Sequence, residues 1–489
     1  MSNARRMHPA AIFFDLVKSL REMIFLFVLG FITFREQGFL YFLMVALFII
    51  LLMIIFKTIA WYRFTYSVEE NELRIEYGIF IRRKRYISKN RIQSIDLTAG
   101  VIHRIFKLVK VQIETAGSGA EAEGSLRAVT LLEGERLRDE LKQKAAYEEI
   151  ETDIEKEEEK TEPSFTISFK RLFLAGSTSS SIGIILAFFL VAFSELEQFI
   201  PEEVYSDALG WIIGLSIILL VVFVVFVLII LWLLGIAGTM IKYGNFTITN
   251  RKDELFITRG LLEKKQITVP LKRIQAVGIQ ESIIRQPLGY ATIFAEVAGG
   301  SQEKGEEFST VLFPIIKKTE IEGFLQEILP EYAKQPENWD TLPKKAGKYY
   351  LFRSMMPFIL IGAGIIYFLP TFSWAAILLV IVSFVLGWLR YKDGGFAQSG
   401  NKLLVRYRTL SKITMMIYHR RIQSFEKKQH LWHRRENLAM MELSIIGKLG
   451  IGKHYRLKEM KESDTDQLSD WYSYRDVTDE DAYDDNQRG

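Results

Sequence analysis

Residues 73–78 read Leu73-Arg74-Ile75-Glu76-Tyr77-Gly78, and a little further on comes Arg91-Ile92-Gln93. The first stretch alternates apolar with polar, the period of a half-buried strand, and its glycine offers the positive φ of a following turn. The same signposts return 182 residues later as Leu255, Ile257, Gly260 and Arg273-Ile274-Gln275, with Phe246-Thr247 standing where Phe64-Thr65 precede the first set. A third set, shifted by 330, puts Leu403 on Leu73, Val405 on Ile75, Tyr407 on Tyr77 and Arg421-Ile422-Gln423-Ser424 on Arg91-Ile92-Gln93-Ser94. His433-Arg434 then falls on His103-Arg104. Spacing kept over so many positions identifies an internal repeat, and repeats of this length are whole structural modules.

Within the first module, Arg85-Tyr86-Ile87 and Val109-Lys110-Val111-Gln112-Ile113-Glu114 repeat the strand alternation. A helical spacing of three and four then closes it at Leu137 and Leu141, and closes the second module at Ile321, Phe324, Leu325, Ile328 and Leu329. In the third, Leu468, Trp471 and Tyr472 are the candidates. The pattern predicts a bent antiparallel sheet capped by one C-terminal helix, made three times.

Each module follows a pair of apolar runs, and about 20 apolar residues suffice to cross ~30 Å of hydrocarbon as a helix. Met23 to Phe34 with Phe39 to Trp61, Leu172 to Phe193 with Ala208 to Ala237, and Met355 to Phe368 with Phe372 to Leu389 predict six crossings in three hairpins. The first arm is the weakest, with Lys18, Arg21 and Glu22 near the interface, and could instead lie as a half-buried amphipathic helix. Ser194 to Asp207 carries Glu195, Glu197, Glu202, Glu203 and Asp207 and no basic residue, whereas Lys170-Arg171, Lys242, Arg63, Arg353, Arg390 and Lys392 mark the opposite helix ends. The positive-inside rule therefore predicts a multi-pass protein of the cell membrane with both termini and all modules in the cytoplasm. A cleavable signal peptide is not expected, because a second crossing rather than a small-residue cleavage site follows the first apolar run.

The expected layout is hairpin 1 (1–63), module 1 (64–147), an acidic linker (148–170), hairpin 2 (171–241), module 2 (242–332), a linker (333–352), hairpin 3 (353–391), module 3 (392–474) and an acidic tail (475–489). Glu148 to Glu162 holds nine acidic residues against Lys156 and Lys160; such blocks are solvated linkers, or they compete with lipid for basic faces.

The chain of 489 residues has no cysteine, which excludes disulfides, thiolate metal sites and cysteine nucleophiles. Its 62 basic and 58 acidic side chains leave a net charge of +4, too balanced for a general nucleic-acid binder. No Walker loop, GxSxG elbow, HExxH pair or dinucleotide turn stands in a suitable context, so no catalytic residue, cofactor or enzymatic activity is expected. His430-Leu431-Trp432-His433, with His419 and Glu426 nearby, matches no zinc spacing and is flanked by Arg434-Arg435, so exposed or interfacial histidines are expected. No crossing carries an ionisable residue away from its ends, which argues against a proton- or ion-coupled transporter.

With the strand-glycine pattern at Gly78 and Gly260, the three Arg-Ile-Gln triplets, and the stretch from His103 to Gly117 ending in Glu114-Thr115-Ala116-Gly117, the chain resembles the bacterial pleckstrin-homology-like (PH-like) domains of YdbS/YdbT-type membrane proteins. The resemblance covers nearly the whole chain and weakens in the third copy, where Arg408 replaces the turn glycine. It implies PH-like β-barrels with capping helices, no known catalytic residues, and a smaller single-domain membrane relative as partner.

Two sets of residues are candidates for anionic ligands. Arg91, Gln93, Arg273, Gln275, Arg421 and Gln423 can grip phosphate, although a triplet that fixes a turn or a carboxylate inside the module is the stronger reading. Arg82, Arg83, Lys84 and Arg85, with Lys264-Lys265 and Lys427-Lys428, are better placed for anionic headgroups, since each basic residue near a charged membrane contributes ~1 kcal/mol. The function expected is a non-enzymatic membrane scaffold that presents three modules for protein assembly, including self-association, or for lipid contact. The alternative is an export or transport component that moves an amphipathic peptide or a lipid, with Ser177 to Ser181 lining its path.

Overall fold

The computed structural model describes residues 4–34, 38–115, 124–147, 163–179, 217–251, 253–298, 309–334, 336, 338–447 and 452–473. They fall into two compact units. One contains Met1–Ile167 and Ile241–Leu271, the other Ser168–Met240, Lys272–Gly299 and Gly305–Gly489.

In the first unit, helices α1 (Ala10–Phe34) and α2 (Phe39–Arg63) lead into strands β1 (Thr65–Val68), β2 (Glu72–Tyr77) and β3 (Arg83–Ser88). Then come β4 (Ile92–Ala99), a short helix α3 (Val101–Ile105), β5 (Leu108–Thr115), β6 (Gly124–Thr130) and helix α4 (Leu131–Tyr147). The sheet β1-β2-β3 packs on β4-β5-β6 to bury Leu73, Ile75, Ile87, Ile95, Leu97, Val111, Ile113 and Leu126, with Leu137 and Leu141 of α4 closing the core. Each such fully buried Leu or Ile stabilises the module by about 1.5–3 kcal/mol.

The repeat boundary is not the sheet boundary. Strand β4 also pairs, antiparallel, with β10 (Lys264–Pro270) of the second module, and the sheet runs on through β9 (Glu254–Arg259), β8 (Thr247–Arg251) and β7 (Ser164–Thr166). Seven strands, β6-β5-β4-β10-β9-β8-β7, thus join the second half of module 1 to the first half of module 2.

The second unit repeats the arrangement one module further on. Its strands are β11 (Ile274–Glu281), β12 (Tyr290–Val297), β13 (Thr310–Lys317), β14 (Asp340–Thr341), β15 (Gly395–Ser399), β16 (Lys402–Arg408), β17 (Lys412–Tyr418), β18 (Ile422–Lys428), β19 (Leu438–Ile446) and β20 (Gly452–Lys461). They form a seven-stranded sheet, β13-β12-β11-β17-β16-β15-β14, and a separate three-stranded sheet, β18-β19-β20. Its helices are α5 (Phe169–Ser177), α6 (Ile217–Tyr243, which runs on into β8), α7 (Ile321–Ile328), α8 (Ala346–Phe368), α9 (Ser373–Asp393), α10 (Leu431–Glu436) and α11 (Glu462–Ser473). Ile321, Phe324, Leu325 and Ile328 of α7 are buried, as is Leu468 of α11, with Trp471 and Tyr472 packed beside it. Strand pairing therefore continues across both repeat boundaries.

The structure corrects the expectation of six crossings. Among the described residues four helices are long and apolar enough to cross a membrane: Phe39–Arg63, Val222–Tyr243, Ala346–Phe368 and Pro370–Asp393. The first expected arm does form a helix, but Asp15, Lys18, Arg21 and Glu22 interrupt its apolar character. Its N-terminal end is spent on the module: Met7 and Ala11 are buried against Leu108 and Ala128, with Phe14, Trp61 and Phe64 around them. The third expected arm appears only as the nine-residue α5; the rest of that arm and the acidic loop from Ser194 to Asp207 lie outside the described residues, as does the acidic stretch Glu148 to Glu162.

Candidate functional site

Every module holds both helices that precede it, and the same two positions do the holding. The last strand of each module carries an irregularity in which two residues face one: Arg127-Ala128 against Lys110, Pro314-Ile315 against Thr292, and Lys458-Glu459 against Met440. Such a bulge re-aims side chains out of the ladder. In module 1 it turns Arg127 onto Asp15 of α1, while His103 stacks on Phe14 with ring centroids 3.7 Å apart and donates from Nε2 to the Arg127 carbonyl at 3.0 Å. Burial pushes the His103 pKa below its ordinary value, which favours the neutral ring. In module 2 the residue 182 positions on from His103 is Arg285; it donates to the Pro314 carbonyl (3.1 Å), and to the Ala175 carbonyl (2.9 Å) and Thr178 Oγ1 (2.9 Å) at the end of α5. In module 3 Arg353 of α8 forks onto Glu459 at 2.8 and 3.2 Å, the Tyr350 hydroxyl donates to the Lys458 carbonyl at 3.2 Å, and His433 meets Tyr349 edge-on.

The second helix is tied to the turn after the module's second strand. Arg63 of α2 donates to the Ile79 carbonyl, the Leu261 N–H donates to the Ile241 carbonyl at 2.9 Å, and Arg390 of α9 donates to the Thr409 carbonyl at 3.0 Å. The third turn differs in its chemistry. Arg408, at the position of the turn glycines, is buried and bonded to Asp393 at the end of α9, to Gln286 and to the Leu410 carbonyl.

Between these two ties in module 3 lies an open cleft of about 460 Å³, bounded by the polar ends of α8 and α9 and strand β20. Its walls include Arg353, Ser354, Arg390, Tyr407, Arg408, Arg456 and Lys458. Three of its cations have carboxylate partners: Arg353 has Glu459, Arg408 has Asp393, and Arg456 has Glu442 at 2.8 Å. Among the described residues, Arg390 bonds the neutral Thr409 carbonyl and Ser354 Oγ (3.1 Å), and Lys458 makes no ion pair. Burial, then the nearby Arg353 guanidinium, lowers the Lys458 pKa, and the Glu459 carboxylate only partly offsets them. Glu442, gripped by Arg456 and Lys428, is held down at about 2. Glu459 adopts φ 54°, a left-handed conformation that costs a non-glycine residue about 1–2 kcal/mol and that its forked bond to Arg353 offsets.

The residues singled out in the sequence take other places. Arg91, Arg273 and Arg421 each end a short 3₁₀ turn at the corner between the two half-sheets of a module. Gln93, Gln275 and Gln423 are each the extra residue of a bulge: Ile92 faces Thr115 while Ser94 faces Glu114, and the second and third modules repeat this at Ile274/Ala276 and Ile422/Ser424. Arg273 Nε donates to the Ala298 carbonyl at 2.7 Å, and Gln275 Nε2 to the Arg273 carbonyl at 3.1 Å. The triplet thus ends a turn and supplies the extra residue of a bulge. Of the basic run, Arg82 and Lys84 gather on Glu76, while Arg83 and Arg85 lie exposed along β3. Lys427 is held by Glu462 and Asp466, and Lys428 by Glu426 and Glu442. Among the described residues no three His, Asp or Glu side chains are grouped as metal ligands. Ser177 and Thr178 bond back to the carbonyls of Phe173 and Leu174, and Ser180 and Ser181 lie outside the described residues.

Sequence reading missed the cavity and Arg285. The repeat offset alone would have found Arg285, because it occupies the position of His103 and His433.

Sheets shared across repeat boundaries, bulge-forming triplets and a closing helix in each module, together with four long apolar helices among the described residues, define a transmembrane protein with repeated PH-like modules. The model of the bacterial PH domain matches residues 24–145, 187–332 and 358–476, and the chain belongs to that family. It is 33% identical, over 97% of its own length and 99% of the relative's, to the UPF0699 transmembrane protein YdbT of Bacillus subtilis (strain 168).

Proposed function

We propose that the protein is a non-enzymatic platform at the cytoplasmic face of the cell membrane, whose third module contacts the phosphate of an anionic phospholipid headgroup. The observation that carries this reading is the basic cavity, in which Arg390 and Lys458 form no ion pair among the described residues, at the polar end of the third hairpin. Arg353 and Arg390 flank the apolar runs of α8 and α9, the level at which a headgroup phosphate sits. A guanidinium and an ammonium in that setting gain a charge-assisted bond from such a phosphate. The basic residues at the module ends of the helices, Arg63, Lys242, Arg390 and Lys392, support the cytoplasmic placement.

The test is lipid retention. Full-length protein extracted in mild detergent and exchanged against equal phosphatidylglycerol and phosphatidylcholine is expected to retain the anionic lipid by native mass spectrometry. The double variant Arg390→Ala with Lys458→Ala should lose about tenfold or more of it, as two contacts of ~1 kcal/mol each imply. Equal retention of both lipids, or retention unchanged in a folded double variant, overturns the reading.

A further inference from the structure

The two seven-stranded sheets are built by one rule, and the rule leaves two strands over. At each junction the fourth strand of a module pairs with the third strand of the next: β4 with β10, and β11 with β17. Shifted by the repeat offsets, the registers coincide. Thr98↔Lys265 is equivalent to Gln280↔Ile413, and Leu97↔Gln266 to Ile279↔Thr414. Among the described residues no further strand pairs with the outer side of β3 in the first module or of β18 in the third, so each remains at a sheet edge. Their surfaces register the difference. Arg83 to Tyr86 are all exposed, whereas Met415 and Met416, at the positions of Arg85 and Tyr86, are buried; Gln423, Ser424 and Glu426 are exposed where Gln275, Ala276 and Gly278 are buried.

We propose that β18 of one chain pairs with β3 of a second copy, in the register of the internal junctions, so that copies join head to tail by continuing the same sheet. That register sets Ser424 opposite Ile87, Phe425 opposite Tyr86, Glu426 opposite Arg85, Lys427 opposite Lys84 and Lys428 opposite Arg83. The side chains fit this register. Arg85 stands where the other modules have Ile267 and Met415, and it faces Glu426, an acid at the position of Asp96 and Gly278, so this pair sets opposite charges against each other where the internal junctions do not. Opposite charges directly across a ladder contribute about 0.2–1 kcal/mol, as do aromatic pairs such as Phe425 with Tyr86. The lysines set against Lys84 and Arg83 bring their own carboxylates, Glu462 and Asp466 on Lys427 and Glu442 on Lys428, and Lys84 brings Glu76. An edge rich in Lys and Arg can also serve to refuse partners, and Glu426 set opposite Arg85 argues for the pairing over that role. Each copy owns both edges, so the contact is heterologous and propagates into chains or closes into rings. It does not depend on the headgroup reading.

The test uses two full-length copies with different tags, one carrying Arg85→Cys and the other Glu426→Cys, co-purified in mild detergent and mildly oxidised. The native chain has no cysteine, so any cross-link is between the introduced thiols. A disulfide-linked dimer carrying both tags is expected, with at least fivefold less product when Lys84→Cys replaces Arg85→Cys, because that slip points the thiols to opposite faces. Without cysteines, Arg85→Glu or Glu426→Arg alone should weaken association at least threefold, and a mixture of the two should recover it. Four outcomes overturn the proposal: no cross-link in folded protein, equal product in both registers, single charge reversals that leave association unchanged, or a chain with both cysteines that closes only on itself. Pairing found only with a different membrane protein and never between copies overturns it as well.

Discussion

Gly78 and Gly260 sit at φ 114° and 105°, and a Cβ built on them would lie 2.0 Å from the Ile81 carbonyl oxygen and 1.9 Å from that of Glu263. Both the backbone angle and the contact exclude a side chain, so Gly78→Ala should destabilise the module by more than about 1 kcal/mol. Gly323 offers the control. It lies in helix α7 with open space around its missing Cβ, and Gly323→Ala should stabilise by about 0.5–1 kcal/mol. Thermal unfolding of the two variants in detergent checks the opposite signs; two shifts in the same direction would refute the assignment. These glycines were legible in the sequence because a repeated glycine after an alternating strand has few other causes. The repeated Arg-Ile-Gln was legible only as a repeat. Its role, ending a 3₁₀ turn and then supplying the extra residue of a bulge, depends on pairing with a distant strand that no local pattern reports.

Between helix and module the same joint is made with different chemistry: a charge pair and a stacked ring in the first, a guanidinium on helix-end carbonyls in the second, a forked ion pair in the third. What recurs is the bulge that aims the last strand at the helix. The third joint is the most exposed to test, since the Glu459 side chain is only 3% exposed and a carboxylate left there without its partner is costly. Arg353→Met should therefore cost about 3 kcal/mol, and Arg353→Met combined with Glu459→Gln should recover a good part of it, since the uncompensated charge is gone. Denaturant titration of the four combinations measures the coupling; additive losses would show that the pair does not hold the helix. Composition made α2, α8 and α9 legible as membrane helices. It misled for α1, because an apolar run was read without weighing that its start also has to pack on the module through Met7 and Ala11.

Among the described residues, three sequence repeats make two seven-stranded sheets shared across repeat boundaries and two three-stranded sheets at the outer ends. Counting modules was possible from spacing alone, but allotting strands to sheets was not, because β4 reads identically whether its outer neighbour belongs to its own module or to the next. This makes cooperation between remote segments measurable. Lys264, Lys265 and Gln266 of β10 pair with Ala99, Thr98 and Leu97 of β4, and β10 is also paired with β9 just beyond the Gly260 turn. Straining that turn with Gly260→Ala should loosen β10 and, through it, β4. Amides of residues 92–99, remote from the substitution in sequence, are then expected to exchange with solvent several times faster than in the wild type, whereas a chain of independently folded repeats would leave them untouched. Hydrogen exchange followed by mass spectrometry on the full-length protein decides between the two, and unchanged protection in that peptide alongside increased exchange in β9 would mean that the shared sheet does not transmit stability from one repeat to the next.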